Sequence, residues 1–292
     1  MATAVVFAGF LIAIRPVAAK PPVLLINGRA LIYTYPIVPY LDTSGHMMVG
    51  LRAFAFMLNG TYAVDANDRR VTMIADSHTW HFESGSKHAV IDENVVTLPV
   101  VPYFAKRSQP AGPDQISQAG MTLIVPLSSL LNPLGAVVSW NGERSSLSVQ
   151  CRALNTAYQL GLDIDSVREF ESATAQTDSL EIENPIARGS ILFFKVRNRD
   201  KKAVPNNTLY VNEYSYFPNR RLQLVGRPYT APPDMPLNLP KYPKIAPHGV
   251  ISIKMSIAPT YDPNATDTPV DDPPYFIAVT AIVSSVPVWH PH

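Results

Sequence analysis

Seven histidines are the first place to look for chemistry in this chain. His78 and His81 stand three apart, His88 follows, and Asp76 and Glu83 are the nearest carboxylates that could complete a metal's ligand set. On a helix, His78 and His81 would share a face. This segment reads instead as a turn and then a strand, which sets them on opposite sides and makes them polar surface residues. The carboxylate pairs Asp163/Asp165 and Asp271/Asp272 fall in polar turns, where solvated Asp is ordinary. Asp262, Asn264, Asp267, Asp271 and Asp272 gather hard oxygen ligands of the kind calcium takes, without the spacing or glycine of a calcium loop. Neither a nucleophile elbow, nor a phosphate-cradling glycine loop, nor a dinucleotide fingerprint is present in the sequence. The expectation is a chain without a catalytic site, cofactor or metal.

Two groups of residues are suited to binding rather than catalysis. Lys195, Arg197 and Arg199 share strand parity, so they lie on one face, and Lys201 and Lys202 extend the cationic stretch. An anionic surface polymer such as a teichoic acid fits such a face; the plainer account is a solvated outer face with a turn at Asn198–Lys202. Tyr210, Tyr214 and Tyr216 also share a parity and offer rings on which sugars stack, or a core. Cys151 reads as a spectator thiol at the end of the repeat region.

These residues must be positioned by a chain of 292 residues, long enough for two domains. Its net charge of +1 argues against nucleic-acid binding driven by a positive field. Hydrophobic residues at 47% exclude a wholly disordered chain. The 28 prolines exclude long helical bundles and coiled coils. A lone cysteine excludes a disulfide framework within the chain. Ala4 to Ile14 is an apolar run too short to span a membrane, followed by Val17-Ala18-Ala19. It reads as a signal peptide over residues 1–19, despite the lack of a preceding Lys or Arg. Three Asn-x-Thr sequons, at Asn59, Asn206 and Asn264, are formal glycosylation motifs only.

The first half is an internal repeat. Met47–Phe54 recurs 76 positions later as Leu123–Leu130, and Pro36-Ile37-Val38-Pro39-Tyr40 recurs 63 positions later as Pro99-Val100-Val101-Pro102-Tyr103. The difference is a longer loop around Ala105 to Gln118. Each copy reads as an opening hairpin, an extended Pro-x-x-Pro-Tyr segment, a strand, a short helix and a closing hairpin. The hairpins are Val23–Ile26 with Ala30–Tyr35, and His88–Ile91 with Val95–Leu98. The strands are Met47–Val49 and Thr122–Val125. The helices are Leu51–Leu58, ended by Asn59-Gly60, and Leu127–Leu134, ended by Gly135. The closing hairpins are Tyr62–Val64 with Arg70–Ile74, and Val137–Trp140 with Ser145–Val149. Their alternation predicts one buried and one wet face.

Residues 23–150, through Val125-Pro126-Leu127 and Leu134-Gly135-Ala136-Val137-Val138-Ser139-Trp140, resemble the copper amine oxidase N-terminal-like domain, a paired-repeat module of bacterial surface proteins. The first copy departs from the pattern at Gly50, where proline is usual, and at Asn59-Gly60. The resemblance implies a stalk that carries neither copper nor catalysis. The catalytic motif of that family, whose tyrosine becomes the quinone cofactor, is absent from the sequence; Asn212-Glu213-Tyr214 has the wrong order.

The second half is proline-punctuated, with 17 of the prolines in residues 185–292. Strands are expected at Leu180–Ile182, Ser190–Arg197, Leu209–Phe217, Leu222–Val225, Val250–Ala258 and Tyr275–Val283. A short helix or polar linker is expected within 153–184, with the helix at Val167–Gln176, and a proline-rich crossover over Pro228–Pro247. Together these predict a mainly β protein with short helices: an α+β repeat module over 20–152 and an antiparallel, immunoglobulin- or fibronectin-like sandwich over 185–292. The function expected is that of a secreted, non-enzymatic surface protein whose stalk-like module presents a sandwich to cell-wall polysaccharide, other surface proteins or itself. Two other readings stay open: a structural subunit that polymerises through strand edges, and a wall hydrolase with an unrecognised site.

Overall fold

A computed structural model describes residues 22–65, 69–106, 121–154, 179–189, 191–216, 222–225, 242–257 and 276–283. The first repeat consists of β1 (Val23–Ile26), β2 (Arg29–Thr34), β3 (Tyr40–Leu41), β4 (Met47–Gly50), α1 (Leu51–Met57), β5 (Thr61–Val64) and β6 (Arg70–Ala75). The connecting residues form β7 (His78–Glu83). The second repeat runs through β8 (His88–Ile91), β9 (Asn94–Thr97), β10 (Tyr103–Lys106), β11 (Met121–Pro126), α2 (Ser128–Leu131), β12 (Val137–Asn141) and β13 (Ser146–Gln150). The second half contributes β14 (Leu180–Arg188), β15 (Ile191–Asn198), β16 (Leu209–Tyr216), β17 (Leu222–Val225), β18 (Val250–Ser256) and β19 (Phe276–Val283). The protein is mainly β with short helices, as its patterning predicts. The expected helix at Val167–Gln176, the oxygen-rich Asp262–Asp272 stretch and most of the proline-rich crossover lie outside the described residues.

The repeats are related by an internal two-fold. β4 and β11 pair antiparallel with Val49 opposite Val125, its own counterpart at offset 76; Gly50 lies opposite Ile124 and Met48 opposite Pro126. β3 and β10 flank them in a four-stranded sheet. The equivalent tyrosines of the two Pro-x-x-Pro-Tyr segments meet, Tyr40 Oη to Tyr103 Oη, at 2.9 Å. Partial burial, followed by this bond, raises the Tyr40 phenol above its ordinary value of 10.0.

The copies also exchange hairpins. The closing hairpin β12–β13 of the second copy lies beside the opening hairpin of the first, through parallel pairing of β13 with β1. On the other side, β6 reaches β8 only through β7, in a five-stranded sheet ordered β5-β6-β7-β8-β9. β7 carries Trp80 and Phe82 into the core, and the Trp80 indole donates to the Ser129 carbonyl at 3.1 Å.

Two departures from the expected helix and strand lengths have local causes. The second helix ends at Leu131 rather than Leu134: Asn132 is still helical, at φ −57° and ψ −46°, but Pro133 has no N–H to donate to the Ser129 carbonyl. β14 runs on through Pro185, beyond the expected Leu180–Ile182. Its register against β15 shifts between Glu183 and Ile186, with Asn184 at φ 51°, a bulge that accommodates the missing N–H.

β2 pairs antiparallel with β19, placing Ala30 opposite Val279 and Leu31 opposite Ala278. One seven-stranded sheet therefore runs β12-β13-β1-β2-β19-β16-β17, from the repeats into the second half. β14, β15 and β18 form a three-stranded sheet facing part of it. The opening hairpin is shared between two cores. Leu24, Ile26 and Leu31 join Phe54, Trp80 and Phe82 in the first. Val23, Ala30 and Ile32 join Leu192, Phe194 and Val279 in the second. Two buried faces explain why these strands read as continuous apolar runs.

Candidate interaction surface

The histidines are distributed, as strand parity predicts. His78 Nδ1 lies 2.6 Å from Asp92 Oδ2, and the Thr79 N–H donates to Asp92 Oδ1 at 2.8 Å. The backbone bond first, and then His78, hold the Asp92 carboxyl below its usual 3.8. His81 Nδ1 is 3.0 Å from Thr72 Oγ1, and His46 lies against Asp42. Glu83 faces Arg70 and Arg69. Among the described residues, no group of three or more His, Cys, Asp or Glu side chains is placed to hold a metal ion.

The six residues expected to form a binding face are divided between two sheets. Lys195, Arg197 and Arg199 follow β15 and its end, with Lys195 exposed. Two of these cations face buried carboxylates. Arg197 Nε donates to Glu183 Oε1 at 2.6 Å and its Nη2 to Glu183 Oε2 at 3.3 Å. Arg199 Nε donates to Glu181, and its Nη2 lies 3.9 Å from Glu183. The bond from Glu183 is the main reason the Arg197 guanidinium is held above its ordinary value. Glu181 lies opposite Arg197, and Glu183 opposite Lys195, so these contacts run diagonally across the ladder. The Glu-x-Glu and Arg-x-Arg spacings in β14 and β15 were the available signal. Tyr210, Tyr214 and Tyr216 occupy alternate positions in β16, opposite Ile282, Ala278 and Phe276 of β19. Their strand neighbours Leu209 and Val211 are buried in the second core.

The closing hairpin of the second copy differs from the expected half-buried one. All five residues of β12 are exposed, with Val137 at 69%, Val138 at 47% and Trp140 at 52%. The first copy shows the cause. There Tyr62 stands at the position of Val138; it packs against the first core and takes the Leu123 N–H on its hydroxyl at 3.3 Å. The Arg52 guanidinium lies 4.9 Å from the Tyr62 ring centroid. In the second copy Ser128 and Val138 replace Arg52 and Tyr62 and are too short to rebuild that cover. No local signal in Val137–Asn141 distinguishes an uncovered strand from a half-covered one.

Residues 25–109 match the family model of the copper amine oxidase N-terminal domain. The match runs from within β1 through the rest of the first repeat and into the second as far as β10. It identifies that segment as similar to an N-terminal accessory domain, distinct from the catalytic domain of those oxidases. No significant match to the chain was found among curated proteins or solved structures. Among the described residues, no helix is long and apolar enough to cross a membrane.

Proposed function

We propose that this chain is a secreted, non-enzymatic cell-surface protein in which the repeat module serves as a rigid spacer for the β-sandwich half. The observation that carries this reading is the pairing of β2 with β19, which fuses the two halves into one sheet with a core on each side. An accessory domain welded to its neighbour can hold it at a fixed distance and angle; one on a loose tether cannot. The match of residues 25–109 to a non-catalytic domain, and the signal-like residues 1–19, support the same reading. Binding then falls to exposed sheet faces and edges rather than to a cationic track, because Arg197 and Arg199 already face carboxylates.

The test is to express the full chain with a carboxyl-terminal tag and fractionate the cells. The tagged product is expected in the medium or envelope fraction, with a mass that places its first residue at Lys20. The same purified product is expected to turn over neither amines nor wall polysaccharide. A cytosolic, full-length product overturns the location. A turnover abolished by one polar substitution overturns the non-enzymatic role.

A further inference from the structure

Proteins protect sheet edges with lysines, prolines, bulges or a covering element. Among the described residues β12 has none of these: its sequence is Val-Val-Ser-Trp-Asn, and it borders the seven-stranded sheet with every residue exposed. The direction of its free peptide groups follows from its neighbours. The Val23 N–H donates to the Ser145 carbonyl, and the Asn27 N–H to the Val149 carbonyl, so odd-numbered residues of this strand turn their peptide groups towards β1. Even-numbered residues then turn towards β12. Val137 with Gln150, Ser139 with Ser148 and Asn141 with Ser146 are therefore the hydrogen-bonded pairs. The peptide groups of Val138 and Trp140 point out of the sheet, and among the described residues no hydrogen bond reaches them.

We propose that β12 is the edge through which two copies of this chain join, antiparallel, about a two-fold axis at Ser139. Antiparallel pairing about Ser139 sets Val138 of each copy opposite Trp140 of the other. The outward N–H and C=O groups of one residue then meet those of its opposite, and the same pair brings a β-branched side chain against an aromatic one. Within β12 there is no charge to repel its own copy. Glu143 and Arg144 in the adjoining turn fall opposite Gly135 and Leu134 of the second copy, so like charges do not meet. Val138 and Trp140 stand on the same face as their cross-strand neighbours Val149 and Leu147, which belong to or pack on the first core. The joined sheets therefore continue one apolar face across the axis. Because the interface is self-complementary it closes at two copies and does not propagate. The proposal is independent of where the protein resides and of whether it is an enzyme.

The test is sedimentation velocity on the full chain over a concentration series, with three variants. Val138→Pro removes an N–H that points only outward, a substitution that edge strands tolerate. Trp140→Lys removes the aromatic partner and places like charges near the axis. Val95→Lys, on β9, replaces a valine that is 74% exposed and serves as the control. The expected result is a dimer in the native chain and in Val95→Lys. Dimerisation should weaken at least about tenfold in Val138→Pro and Trp140→Lys, with near-ultraviolet circular dichroism still reporting folded monomers. A native chain that stays monomeric throughout overturns the proposal. So does a dimer, or a larger assembly, that survives both β12 substitutions.

Discussion

Gly50 shows how a single residue reconciles a repeat with its surroundings. Its counterpart in the second copy is Pro126, and proline is also the usual residue in the pattern this segment resembles. In the first copy the Gly50 N–H donates to Thr34 Oγ1 at 3.1 Å, which proline cannot do. A Cβ at Gly50 would also lie 2.5 Å from the Tyr35 carbonyl oxygen. The departure was legible in the sequence, but its reason was not, because it depends on the close approach of the end of β4 to Thr34 and Tyr35, which lie at the end of β2 in a different sheet. Asp92 makes a comparable point about charge. It sits in a hairpin turn at φ 48°, bonded to the Thr79 N–H and to His78, and its carboxyl is held below 3.8. A carboxyl whose folded value is depressed stabilises the fold above its unfolded value, and that contribution is lost as pH falls through the folded value. Asp92→Asn is therefore expected to melt below the native chain near neutral pH. The gap should close in acid below pH 3.8, and parallel melting curves for the two proteins across that range would count against this role.

At the scale of elements, the two opening hairpins are one design in two environments. β1 and β2 read Val-Leu-Leu-Ile and Arg-Ala-Leu-Ile-Tyr-Thr, apolar on both faces and buried on both. β8 and β9 read His-Ala-Val-Ile and Asn-Val-Val-Thr, with Ala89 and Ile91 buried and His88, Asn94, Val95 and Thr97 exposed. The hairpins themselves, and the contrast between continuous and alternating patterns, were legible from residue types alone. The strand that covers β2 was not, since β19 lies some 250 residues further along the chain and local periodicity carries no information about pairing at that distance. The uncovered state of β12 was hidden for a related reason: it shows only by comparison with the first copy, where Arg52 and Tyr62 stand at the positions of Ser128 and Val138. Ala30 and Val95 are equivalent positions in the opening hairpins, and they give a direct measurement. Ala30→Lys buries an ammonium in the second core and is expected to prevent stable folding or to cost several kcal/mol. Val95→Lys is expected to stay within about 0.5 kcal/mol of the native chain by urea denaturation. Equal costs at the two sites would contradict the shared role of β1 and β2.

For the whole molecule, the continuous sheet makes a thermodynamic claim. Val23, Ala30 and Ile32 belong to the second core while Leu24, Ile26 and Leu31 belong to the first, so neither core can melt and leave the hairpin intact. Heating is expected to give a single calorimetric transition whose measured enthalpy equals its van't Hoff enthalpy. Two resolved transitions would mean that the halves unfold independently. The path of the chain through the sheet has a mechanical consequence. β1 and β19 are separated only by β2 and run in the same direction. The polypeptide enters this sheet at Val23 and leaves at Val283, and these two points lie at opposite ends of the strands. A force applied between them acts along the strands, so β1 and β19 are drawn lengthwise past their neighbours. The ladder bonds then share the load instead of opening one after another, as they would in a peeled hairpin. A protein held at one end and pulled at the other would meet that tension with the part of its structure that is most deeply packed.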